Sequence, residues 1–280
     1  MRNQRTVSLN NAIPIPAADY VYIPMHETTG SNIAVHGKNG DTVFDPRYPN
    51  GGTAKSLPIV GFSSDAFWTA EASYATPEGD NYVVLSDDSD IDAILQPPTT
   101  GGMLFLYTQK LDDPTLEDGK GNNILGWGRA NSATGGYFLQ LADNANQNSQ
   151  INFYDAIGGN ETAGIQVTAL KPNAVATYHW ANMDSPTGGL VSGYGPTLDN
   201  QDTADVLTQP TSRPTGYAAL LFAASNNSGT PGTNSEYNKT MTGHIRDLYV
   251  IKFDSFPSTD DLARIIEAYT SAPSELIRGI

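Results

Sequence analysis

Alternating acids at Asp88, Asp90 and Asp92, in the run Asp87-Asp88-Ser89-Asp90-Ile91-Asp92, are the sharpest local pattern in the chain. Hard carboxylate oxygens at such spacing suit calcium. An EF-hand loop would also need a glycine at its bend and a closing glutamate, and Ile94-Leu95 stand there instead. The competing expectation is a solvated acidic turn, so calcium stays open. The four histidines (His26, His36, His179, His244) form neither an H-E-x-x-H nor an H-x-H pair, which leaves no local zinc motif. His179 sits beside Trp180 in a strand-like run and is expected to be structural. No G-x-S-x-G, P-loop or G-x-G-x-x-G occurs. No catalytic residue is assigned, and the chain is expected not to be an enzyme.

Aromatic side chains offer another chemistry. Sugar rings stack on exposed aromatic faces, and neighbouring Asp and Asn take up the hydroxyls. Trp68, Trp127 and Trp180 lie in strand-like runs and are expected in the core. Tyr194, in Ser-Gly-Tyr-Gly-Pro, and Tyr237, in Asn-Ser-Glu-Tyr-Asn-Lys, stand among turn-forming and polar residues. These two are the candidate glycan-binding residues.

The elements that must position them read as strands. Short apolar runs recur at 19–25, 81–85, 103–110, 124–128, 137–142, 150–154, 164–168, 175–180, 217–223 and 245–253. Clusters of Gly, Pro, Asn, Asp and Ser separate them. No helix-period segments lie between the runs, so an antiparallel sandwich is expected rather than a βαβ fold. One convincing helix is expected, over about 259–270. Ser258 and Asp261 form a capping-box-like start, and Leu262, Ile265, Ile266 and Tyr269 make one apolar stripe. Residues 1–19 read as an extended arm because Ile13-Pro-Ile-Pro16 disfavours helix. Arg2 and Arg5 make the arm cationic, and they are the candidate docking residues. Residues 271–280 read as a tail.

The chain carries 30 acids against 15 bases, a net charge of −15. Such a surface repels phosphate backbones and anionic lipid, so nucleic acid and membrane insertion are not expected. The absence of Cys excludes disulfides and thiolate metal sites. No apolar run has signal-peptide or membrane-span length. Synthesis in a host cytoplasm is the expectation.

The order of pieces resembles the concanavalin A-like jelly roll in its laminin-G-like form. Glu27, Gly30 and Asp41 or Asp45 match an early E-x-x-G segment leading to an Asp. Gly243, Ile245 and Asp247 match G-x-I-x-D of the last strand, and Ser258, Asp261 and Leu262 match the closing helix. The likeness spans roughly residues 20–270, and the stretch 178–200 departs from it. It implies an all-β antiparallel sandwich of the kind found in phage tail and capsid-surface proteins, lectins, glycosidases and lyases. The carboxylate pattern E-x-D-x-x-E of laminarinase-like relatives is missing. A non-catalytic virion protein is therefore expected, docked by residues 1–19 to other virion proteins and forming a homo-oligomer. A lectin or adhesin that binds a cell-surface glycan is the alternative, and a glycoside hydrolase or polysaccharide lyase comes third.

Overall fold

The computed structural model describes residues 18–24, 28–29, 31–41, 53–60, 73–74, 82–111, 122–128, 136–141, 149–154, 161–166, 173–185, 187, 189–199, 201–204, 218–221 and 243–271. The strands are β1 (Ala18–Ile23), β2 (Thr28–Thr29), β3 (Asn32–Asp41), β4 (Thr53–Val60), β5 (Ser73–Tyr74) and β6 (Tyr82–Val84). After helix α1 (Ser89–Leu95) come β7 (Gly102–Leu111), β8 (Asn122–Gly128), β9 (Gly136–Leu141), β10 (Ser149–Tyr154) and β11 (Glu161–Gln166). Then follow β12 (Asn173–Asn182), β13 (Leu190–Tyr194), β14 (Gln201–Ala204), β15 (Ala219–Leu221) and β16 (Gly243–Phe253), closed by α2 (Thr259–Ser271).

Every ladder is antiparallel. One layer runs β4-β3-β1-β16-β7-β12-β13-β14, and the other runs β11-β10-β9-β8-β15-β6-β4. Strand β4 belongs to both, because Thr53–Pro58 face β3 while Ile59 and Val60 pair with β6. Such a switch makes a sandwich corner. The all-β sandwich with its C-terminal helix is as expected from the sequence.

The first layer is buried on both faces. Along β1, Val21 and Ile23 enter the core between the layers, while Tyr20 and Tyr22 enter a second cluster on the outer face. Strands covered twice lose the apolar–polar alternation of a half-wet sheet. The stripe Leu262, Ile265, Ile266 and Tyr269 of α2 covers that outer face. Ser258 caps the helix: its hydroxyl donates to Asp261 Oδ2 (2.7 Å) and accepts from the Asp261 amide (3.2 Å). The far turn of α2 is anchored by Tyr269, whose hydroxyl donates to the Asp247 carbonyl (3.1 Å) and meets Thr108 Oγ1 (3.1 Å). Asp247 sits at φ +48°, where β16 slips register against β7. Its buried carboxylate accepts from the Tyr22 hydroxyl at 2.7 Å. Burial first, and then the Asp247 charge, hold the Tyr22 phenol far above its ordinary range.

Three differences from the sequence reading stand out. The acidic run 87–92 is the start of a second helix, α1, rather than a turn. It was hidden because a seven-residue helix shows barely two turns of periodicity. Strands β3, β4, β13 and β14 lie in segments too polar or glycine-rich to read as apolar runs. Finally, β1 begins at Ala18, so the last two residues of the expected arm belong to the sheet.

Candidate functional site

The register gives the sandwich two distinct ends. At one end stand Ala18, Asp41, Phe253, Gly102 and Asn182, each on a neighbouring strand at one level. Helix α1 plugs this end. Ile91, Ile94 and Leu95 enter the core, and Ile91 packs so closely on Gly37 of β3 that a Cβ there would lie 2.5 Å from Ile91 Cδ1 and push that methyl aside. Lys252 Nζ donates to the Ala93 carbonyl (3.0 Å) and the Tyr137 hydroxyl to that of Leu95 (2.9 Å), satisfying helix-end acceptors. Asp184 ties the surrounding loops together. Its Oδ1 accepts from the Gly101 amide (2.8 Å) and its Oδ2 from the Phe256 amide (3.1 Å). Nothing in the sequence reading had singled out Asp184.

The metal candidates lie beside this end. Asp88 is the N-cap of α1, accepting from the amides of Asp90 and Ile91 at 3.1 Å each. It also pairs with Lys55 Nζ at 3.0 Å, and Asp90 is 3.8 Å from the same ammonium. Burial pushes the Asp88 carboxyl up, but the Lys55 contact and the two amides outweigh it and hold it below the usual range. Asp92 lies one turn further on, in the helix. Among the described residues no group of three His, Asp or Glu is placed to hold a metal ion.

The opposite end carries Leu111, Asn173 and Gly243. Tyr194 ends β13 on its side, opposite Thr177 at mid-strand of β12, five residues (roughly 17 Å) from Asn182 and four from Asn173. Tyr237 is outside the described residues, as are Arg2 and Arg5.

The strand neighbours of Tyr194 on its face are polar. Alternation along β13 puts Leu190, Ser192 and Tyr194 on the inner face, and Val191 and Gly193 on the outer face, where the Tyr178 ring lies over Gly193. Ser192 faces His179 on β12 and Asp202 on β14. His179 is wholly buried: one ring nitrogen meets Ser192 Oγ at 2.6 Å, the other the Tyr107 hydroxyl at 2.9 Å. Burial pushes its imidazole down to about 3, so it is neutral near pH 7. Next to it Thr177 is 2% exposed, and its hydroxyl has no hydrogen-bond partner among the described residues. Tyr194 itself is half-buried, where β10 and β11 of the other layer approach β13 and β14. Gly195 follows at φ +99° with open space where a Cβ would be. The loop then folds over the outer face. The Tyr178 hydroxyl donates to the Thr197 carbonyl (3.2 Å), Leu198 packs there, and Thr197 Oγ1 donates to the exposed Asp199 (2.8 Å).

This seam can stack one aromatic ring and offer hydroxyls and a carboxylate. Of the sequence candidates among the described residues, Tyr194 alone is brought to it. Thr177, Ser192 and Asp202 were missed; their signal was period-two spacing along strands that were unread or read on one face only. His179, Trp127 and Trp180 are buried, as expected, and Trp68 lies outside the described residues.

No family model and no curated protein matches the chain. Solved structures do resemble it in backbone layout. A Ruminococcus gnavus IT-sialidase CBM40 shares 13% identity over 69% of this chain and 96% of that one, at a TM-score of 0.46. The binding domain of botulinum neurotoxin DC, in complex with SialylT, shares 10% over 90% of this chain and 51% of that one, at 0.49. The CBM2 module of the evolved Dit of Lactobacillus casei BL23 phage J-1 shares 12% over 87% of this chain and all of that one, at 0.39. At such identities and scores the likeness says nothing about ligand or activity.

Proposed function

We propose that this chain is a non-catalytic, glycan-binding sandwich of a phage virion, a concanavalin A-like jelly roll of the laminin-G type that contacts the host surface. The observation that carries this reading is the polarity of the molecule. The chain enters the sheet at Ala18, at the end plugged by α1, whereas β13 runs away from that end, from Leu190 to its last residue Tyr194. A module anchored through residues 1–17 would present the tyrosine end outward. The virion setting rests on the cationic arm of an otherwise acidic chain. Asp247 and the Ser258 cap, which carry the family resemblance, serve here to dock α2.

The test is saturable binding of the full chain to a glycan array and to candidate host cells, with calcium and with chelator. Tyr194→Ala is expected to weaken binding tenfold or more while the melting temperature stays put, since Tyr194 is only half-buried. Binding that the variant retains in full would move the site elsewhere. No saturable binding in either condition would sink the glycan reading.

A further inference from the structure

The glycan that fits this seam is uncharged, we infer; this rests on the glycan-binding reading and specifies its ligand class. From Pro172 to Ser212, a stretch that holds β12, β13 and β14, there is no Lys or Arg, while Asp184, Asp199, Asp202 and Asp205 all fall within it. Its one other basic side chain is His179, wholly buried with both ring nitrogens engaged. Among the described residues, strand pairing puts Lys110 on β7 and Arg246 on β16 at the same end, two and three strands away from β13. A sugar carboxylate or sulfate needs a cation or a convergent set of N–H donors. The seam supplies neither among the described residues.

What the seam does supply suits hydroxyls. Asp202 stands opposite Ser192, on the face shared with Tyr194 and Thr177. A carboxylate is acceptor-only and can take two sugar hydroxyls, and it repels another anion. The tyrosine ring offers a face to the C–H side of a pyranose. Beneath them lies the Thr177 hydroxyl, buried and without a partner among the described residues. That hydroxyl is closed off from solvent, so it adds to the polarity of this face without itself meeting a ligand. An acid and a ring on one face of the paired strands β13 and β14, with no described cation beside them, describe a site for neutral sugar.

The experiment prints neutral oligosaccharides beside their own sialylated or sulfated forms and measures the full chain at about 0.15 M salt, where distant surface charge is screened beyond roughly 8 Å. The neutral form is expected to bind at least about tenfold better. Asp202→Asn should shrink that ratio severalfold, because it removes the local charge and leaves the rest of the protein acidic. Charged forms bound as well as neutral ones, with Tyr194→Ala abolishing both, would keep the glycan reading and overturn this inference. A ratio unmoved by Asp202→Asn would also overturn it, by assigning the preference to net charge. Binding to no probe at all would overturn the glycan reading and the inference with it.

Discussion

His179 is a base buried so completely that its charged form is disfavoured. The elements packed around it offer hydroxyls, from Tyr107 on β7 and Ser192 on β13, and the described acid facing that side is Asp202, one strand beyond Ser192. Folding therefore depresses its pKa, from the ordinary 6.5 to about 3. Between those values the unfolded chain binds a proton that the folded chain does not, so stability falls as pH drops. The contribution is complete above pH 6.5 and fades toward pH 3, and it amounts to a few kcal/mol. His179→Gln keeps a polar side chain but cannot titrate. We expect this variant to melt lower at pH 7, yet to lose less stability than wild type between pH 7 and 4. Equal losses, followed by thermal melts across that range, would show that His179 is protonated without cost in the fold. The sequence suggested a structural histidine from its place beside Trp180. It could not show the two hydroxyls, because Tyr107 and Ser192 lie 72 and 13 positions away and meet it only through strand register.

At the scale of elements, α2 was legible and α1 was not, for one physical reason. Thirteen residues give α2 more than three turns, enough for the Leu262–Tyr269 stripe to declare itself. The seven residues of α1 show only Ile91, Ile94 and Leu95, and acids crowd its first turn. Those acids look like a ligand loop until Asp88 is seen capping amides and pairing with Lys55. Strands β13 and β14 were hidden differently, since Gly193, Ser192 and Asp202 are poor strand formers in isolation and are held by their neighbours' ladders. The stripe of α2 makes a sharp prediction. Ile265 is fully buried among Leu262, Ile266 and the aromatic outer face of the first layer. Ile265→Asp would bury an unpaired charge, so a loss of about 4 kcal/mol or more is expected, or detachment of the helix. Thermal melts and limited proteolysis of the C-terminal region report it, with the exposed Glu267→Gln as control. A melting temperature equal to wild type would mean that α2 does not dock.

For the whole molecule, the question is where the proposed anchor ends and the sandwich begins. Composition alone places the boundary at Asp19, because the first charge after Arg5 falls there. The sheet places it two residues earlier. Ala18 is buried in the outer-face cluster and pairs with both Phe253 and Asp41, and Asp19 pairs with Lys252. β1 is also a central strand, lying between β3 and β16, so its first residues hold two neighbours at once. Two truncations separate anchor from fold. Removing residues 1–17 should leave the melting temperature within about 1 °C of the full chain. Removing residues 1–19 strips a buried side chain and its ladder bonds from both flanks, at a cost of roughly 1–2 kcal/mol. That corresponds to a fall of several degrees for a domain of this size. If residues 1–17 are the anchor, the shorter truncation, though folded, fails to incorporate into the assembly and still binds glycan through the Tyr194 end. If it incorporates normally, the anchor lies elsewhere, and the polarity that places Tyr194 outward loses its footing even though the sandwich stands.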